Sequence, residues 1–246
     1  MSINPTSKIL MAFLIVLTFS CKKFLEEEPS VFASPDQILV DAAGAELFTV
    51  GNYAQIKVLA SDFDGWLLLW GTIGADEIVI PNWGASIRSI YLHSFTTSNN
   101  LILNVWRNLY RSINRINSGI ERIDAMNSEQ IDEDLKNKYI GEHKFLRAML
   151  YFSLVSTWEN IPLILEESKS EDIGNFEVSQ SSAKEVYNQI IEDLLFAESV
   201  LDEVQGQGRA TKGAAQALLA KVYLQMTGSP LNETDKYGLA ANKLES

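Results

Sequence analysis

Seven apolar residues recur between positions 102 and 123 at alternating intervals of four and three: Ile102, Trp106, Leu109, Ile113, Ile116, Ile120 and Ile123. A rhythm this close to 3.6 residues puts all seven on one face of an α-helix, opposite Arg107, Arg111, Arg115 and Arg122. A stripe of six turns cannot stay in water. It demands a partner surface, and the rest of the chain supplies several more helices of the same kind.

A second long helix is expected from about Asp132 to Trp158, with Leu135, Tyr139, Leu146 and Leu150 inward. It stops ahead of Pro162, and 161–165 reads as extended. Ser182-Ala183-Lys184-Glu185 is a capping box, opening a helix that turns Val186, Ile190, Leu194, Ala197 and Leu201 to its inner side. Thr211 caps an alanine-rich helix through Ala214, Ala217, Leu218, Ala220, Val222 and Met226, closed by Gly228. Ser34-Pro35-Asp36-Gln37 starts a helix expected to run to about Lys57. Short links between amphipathic helices make antiparallel hairpins. The last two helices look tetratricopeptide-like, although no clean repeat period is visible. A further helix begins near Asp235 and still runs at Ser246, with Tyr237, Ala240 and Leu244 as half of an unfinished hairpin. The fold expected is all-α, mainly helical, with tetratricopeptide-like αα-hairpins, a loop-rich aromatic insertion and an incomplete C-terminus.

Hydrophobic residues make up 46% of the chain and charged ones 21%, the balance of a folded protein. A net charge of −12 repels nucleic-acid phosphates, and no basic stripe is expected to interrupt that acidity, so nucleic acid is excluded as a partner. One cysteine cannot form an internal disulfide, and with two histidines, His93 and His143, it cannot build a Cys/His zinc site. Both histidines are read as ordinary surface or core residues, and no metal or cofactor is expected.

The N-terminus has its own logic. Lys8 precedes an apolar run, 9–19, too short for a bilayer span, followed by Ser20 and Cys21. This is the plan of a secretory signal peptide, and the cysteine placed after the small residue resembles a bacterial lipobox. We therefore expect a signal peptide at 1–20, a lipid-bearing Cys21 anchoring the chain to a membrane, a tether at 21–33 and a helical domain at 34–246.

Residues 60–97 differ from their surroundings. They carry Trp66, Trp70, Trp83, Tyr91, several glycines and Pro81 without a sustained period, and read as loops and short strands. Aromatic faces stack on sugar C–H surfaces while carboxylates, amides and guanidinium groups hold hydroxyls. Trp66, Asp76, Asn82, Trp83, Arg88 and Tyr91 are accordingly the candidate ligand-binding residues. The competing reading makes the tryptophans core. It fits Trp66 and Trp70 inside Trp66-Leu67-Leu68-Leu69-Trp70 best, whereas Trp83, between Asn82 and Gly84, fits either. Trp106 is assigned to the core. No catalytic residue stands out: Glu26-Glu27-Glu28 reads as solvated tether, and Glu142 and Arg147 as a structural ion pair or helix–helix hydrogen bond. Gly208–Gly213 lacks the Lys-Ser/Thr ending and preceding strand of a phosphate loop.

Three longer stretches bear a resemblance. Trp106-Arg107-Asn108-Leu109-Tyr110 through Ile113, Arg115 and Asn117 resembles a W-x-x-x-Y-x-x-I-x-R-x-N segment. Glu142 through Phe145-Leu146-Arg147-Ala148, Tyr151-Phe152 and Asn160-Ile161-Pro162-Leu163 resembles E-x-x-F-L-R-A…Y-F…G-x-(V/I)-P-L. Gly208-Arg209-Ala210-Thr211 through Tyr223-Leu224 resembles G-R-A-T-x-x-A-A-x-A-L-L-A-x-x-Y-L. These are marks of the SusD-like (RagB/SusD) outer-membrane lipoproteins of Bacteroidetes. The resemblance implies a helical, non-enzymatic surface lipoprotein of the cell outer membrane that captures nutrients, usually glycans, for a TonB-dependent β-barrel transporter that it covers like a lid. It also implies a longer whole protein, whose C-terminal half supplies much of the ligand surface. Glu159 stands where the family has Gly, so the turn after Trp158 is altered if that position needs φ above zero. Two other classes remain: a helical scaffold binding peptides, and, third, a glycosidase, for which no carboxylate pair has a recognisable setting.

Overall fold

A computed structural model describes residues 34–61, 84–169, 178–206 and 208–245, together with Ile73, Ala75 and Val79. Eight helices lie among them: α1 (Pro35–Ile38), α2 (Ala42–Ser61), α3 (Ala85–Tyr91), α4 (Asn100–Asp124), α5 (Glu133–Trp158), α6 (Ala183–Val200), α7 (Lys212–Met226) and α8 (Lys236–Glu245). Neighbours in sequence are neighbours in space: α4 packs on α5, α5 on α6, α6 on α7 and α7 on α8, while α2 lies against both α4 and α5. The described residues contain no strand, only an isolated antiparallel bridge between Ile161 and Ser181. An all-α fold of helical hairpins is what the structure shows.

The caps stop and start the helices where side chains offer them. Asp132 accepts from the amides of Asp134 and Leu135, starting α5. Ser182 and Glu185 complete the capping box of α6, and Thr211 accepts from Ala214 N at 3.2 Å to start α7. Each satisfies amide groups that would otherwise lack an intrahelical partner, worth about 1 kcal/mol apiece.

Two expectations are corrected. The helix expected from Ser34 to Lys57 is broken at 39–41: α1 ends after one turn, and α2 restarts and runs to Ser61. The break is local chemistry. Asp41 accepts from Gly44 N at 2.8 Å, and Ala42 N donates to Gln130 O, so the loop before α5 holds the junction. Gly44 is required there, because a Cβ would meet Ile38 O at 1.7 Å. Inside 60–97, read as loops and short strands, α3 is helical. Ile87 and Ile90, three apart, bury themselves in the core, and about two turns is too short for sequence periodicity to betray.

The main core gathers Leu109, Ile113 and Ile116 of α4, Leu150, Tyr151 and Leu154 of α5, Val186, Ile190 and Leu194 of α6, and Leu219 and Val222 of α7. Each is almost fully buried, and side chains of this size contribute about 1.5–3 kcal/mol each. The inner face expected for α6 is buried throughout. By contrast α8 buries only Ala240, while Tyr237, Leu239 and Leu244 are exposed.

Candidate functional site

A polar lock joins α4, α5 and α6 to the segment that follows α5. Arg147 donates from Nε and Nη2 to Asp193 Oδ2 and Oδ1 at 2.7 and 2.8 Å, and from Nη1 to Asn117 Oδ1 at 2.9 Å. Asn117 in turn donates to the carbonyls of Ile164 and Glu166. The Tyr151 hydroxyl both donates to Ile164 O and accepts from Ile164 N, each at 2.7 Å. Burial pushes that phenol up to about 12, so it stays protonated and able to do both. Tyr110 donates to Pro162 O, and Asn114 accepts from Ser168 N. Residues 162–168 are thus laced along the α4–α5 seam.

A second node crosses the molecule. Arg209 forks onto Glu142, with Nε to Oε2 at 2.8 Å and Nη2 to Oε1 at 2.6 Å, and reaches Glu46 of α2 through Nη1. Its charge is held on firmly: the Glu142 hydrogen bonds outweigh desolvation. Ala210 N donates to the Tyr53 hydroxyl. Glu142 and Arg147 therefore do sit in structural ion pairs, Arg147 with Asp193 of α6 and Glu142 with Arg209 in the connection between α6 and α7. Their side chains are buried and saturated, with no room for a substrate.

His143 is fully buried on α5. Its Nδ1–H donates to Tyr139 O at 2.8 Å, leaving Nε2 to accept from Asn52 Nδ2 at 2.9 Å. Desolvation, aided by Arg115, Arg209 and Arg147, lowers its pKa to about 4 against the Tyr139 hydrogen bond, so the ring is neutral. Gly119 permits this approach of α4 to α5, since a Cβ would lie 2.5 Å from His143 Nε2. His143 is a core residue, as read from sequence, and His93 is exposed on the turn after α3.

The open edge is elsewhere. Trp106, assigned to the core from its register, is only partly buried, because near the start of α4 no further helix among the described residues covers the stripe. It packs edge-on against Trp158 with ring centroids 5.1 Å apart, and tilts against Tyr110 at 4.9 Å. A groove lies on each side of it. The first, about 590 Å³, is mainly apolar and lined by Phe95, Ile102, Leu103 and Trp158 with Thr96 and Thr97. The second, about 420 Å³, runs past Arg107, Tyr110, Arg111 and Asn114 to Ile164 and Ser168. No acidic residue is among the described residues lining either. The arginines here are a local exception to the acidity expected of the whole surface, on the helix face that their spacing had already assigned to them.

Of the candidate ligand residues, Trp66, Asp76, Asn82 and Trp83 lie outside the described residues, as does Cys21. Arg88 is exposed on α3, and Tyr91, at the end of that helix, is half-buried against the core. Phe95, Trp158, Arg107 and Arg111 did not figure among the candidates. The signal that could have found Arg107 and Arg111 is their four-residue spacing beside Trp106 and Tyr110 on one helix, whereas Phe95 and Trp158 meet Trp106 only in the tertiary structure. Among the described residues no group of three His, Cys, Asp or Glu is placed to hold a metal ion.

What the fold and this edge define is a helical-hairpin scaffold presenting aromatic faces beside guanidinium groups. A family model described as "Starch-binding associating with outer membrane" matches residues 75–224, well over half the chain, and the chain belongs to this SusD-like family. It is 26% identical over 228 residues to SusD-like protein P25 of Formosa agariphila, covering 88% of this chain and 42% of that relative. A solved SusD homolog from Bacteroides thetaiotaomicron superposes with a TM-score of 0.68 at 27% identity, over 91% of this chain and 43% of the other. A solved laminarin-binding SusD-like protein gives 0.64 at 26% identity, over 80% and 41%. The chain spans somewhat under half the length of the relatives it matches. Of the stretches that carry the resemblance, Tyr110, Asn117, Arg147, Tyr151 and Arg209 belong to the polar lock and the Arg209 node, whereas Trp106 lines the open edge.

Proposed function

We propose that this chain is part of an outer-membrane lipoprotein, tethered through Cys21, that binds a glycan without chemically altering it and passes it to a TonB-dependent β-barrel transporter. The observation that carries this reading is the family match across 75–224, held by motifs whose side chains lock this fold. The laminarin-binding relative supports a saccharide as the ligand. The candidate ligand residues are Trp66, Asp76, Asn82, Trp83, Arg88 and Tyr91, and the grooves beside Trp106 offer a further candidate surface. Titration of the purified chain with glucan oligosaccharides, followed by tryptophan emission and calorimetry, should give saturable binding with no release of reducing ends. Reducing-end release would replace this reading with a glycosidase. Palmitate labelling of wild type but not of Cys21→Ala is the expected sign of the anchor.

A further inference from the structure

The chain has seven arginines, and six of them account for its ion-pair economy or stand conspicuously outside it. Arg122 pairs with Asp36 and Glu167, Arg147 with Asp193, and Arg209 with Glu142 and Glu46. Arg115 lies over the Phe48 ring, 5.1 Å from its centroid. Arg107 and Arg111 are exposed and, among the described residues, have no hydrogen bond, ion pair or ring contact. This occurs in a chain with 32 acidic residues, where a carboxylate was readily available. Their helical neighbours three and four positions away are Leu103, Asn104, Tyr110, Asn108, Asn114 and Arg115, so nothing on α4 neutralises them. Arginines at i and i+4 repel by a few tenths of a kcal/mol, and the helix carries that cost without relief.

Both guanidinium groups rim the 420 Å³ groove whose floor is Trp106 and Tyr110. The other polar groups there are already committed: Tyr110 Oη to Pro162 O, and Asn114 to Ser168. The donors left for a ligand thus include the two arginines and the Ser168 hydroxyl. Arg107 and Arg111 are spaced about 6 Å along the helix axis, close to the advance of one sugar unit. A planar guanidinium offers paired donors matched to a carboxylate or sulfate, and the ring beside it offers a stacking face.

We propose, resting on the glycan-binding reading above, that the groove between Trp106 and Ser168 selects an anionic saccharide, with Arg107 and Arg111 each engaging a carboxylate or sulfate on successive sugar units. The shared chemistry is the anionic oxygen group, and uronic-acid and sulfated chains are its two sources. The test compares three oligosaccharides of matched length by calorimetry: an oligogalacturonate, a sulfated galactan fragment and a neutral β-glucan, each with wild type and with Arg107→Gln/Arg111→Gln. Both positions are exposed, so thermal unfolding of the double variant should match wild type and certify its fold. Wild type should bind at least one anionic oligosaccharide roughly tenfold more tightly than the neutral one. That margin should shrink as salt rises from about 20 to about 300 mM. The double variant should lose the margin. Which anionic probe wins identifies the group. Equal binding of neutral and anionic chains would overturn this inference and leave the glycan-binding reading standing. An anionic preference that survives the double substitution would remove it from this groove. Failure to bind any of the three would overturn both.

Discussion

The two ends of the α4–α5 seam use the same residue types to opposite effect. Toward the middle, Arg147, Asn117 and Tyr151 are buried and every polar atom has a partner, so charge there fixes geometry. Toward the start of α4 and the end of α5, Arg107 and Arg111 have no partner among the described residues and Trp106 and Trp158 are only partly covered, so the same chemistry is left to act on something else. A guanidinium that has found its carboxylate is structure. One that has not is available for recognition.

The sharpest way to break that contrast is Asp193→Ala. It strands the Arg147 charge in the core, and with it the link to Asn117 and 164–166, so a loss of about 3–5 kcal/mol is expected from urea unfolding. Arg107→Ala should change stability by less than about 0.5 kcal/mol in the same assay. If the two losses came out alike, the distinction between the two ends would fail.

Acid should act on the locked region next. His143 is held near 4 by burial against an ordinary value of 6.5. The unfolded chain therefore binds the proton first, and the stabilisation is complete above about pH 6.5 and lost as pH falls toward 4. The loss amounts to roughly 3 kcal/mol over that window. Urea midpoints at pH 7 and pH 4.5 should diverge strongly in wild type and much less in His143→Gln.

At the seam's far end, Glu159 holds φ at +64°, so the turn expected to need positive φ keeps it without the glycine. Glu159→Gly should raise stability by about 1 kcal/mol, seen as a higher unfolding midpoint. The smallest stability effect belongs to Phe95→Ala on the open edge. Phe95 is half-exposed, so unfolding should shift by less than about 0.5 kcal/mol, while glycan affinity in the emission titration falls.

Much of this was legible because helices write their own period. The α4 stripe, the capping box at Ser182 and the Asp132 start of α5 all follow from local chemistry, which the chain cannot conceal. Asp193 was not legible as a partner for Arg147. An acid in the middle of an apolar stripe marks a buried charge, but nothing in sequence says which of seven arginines meets it. Trp106 shows the converse. Its register is that of the core, and only the length of the neighbouring helices decides that its end of the stripe lies open. The open edge arises where α4, α5 and 162–168 fail to cover one another, and no single segment records that.

The Ile161–Ser181 bridge has a practical meaning. Its two hydrogen bonds, 3.2 and 2.9 Å, tie together the ends of the excursion between α5 and α6, so the docking of those helices does not depend on how long the excursion is. Doubling such a loop costs only about 0.6 kcal/mol. Residues 178–180, exposed and just inside the tie, are thus a port: an epitope or fluorophore inserted there would label the protein while leaving α5 and α6 docked.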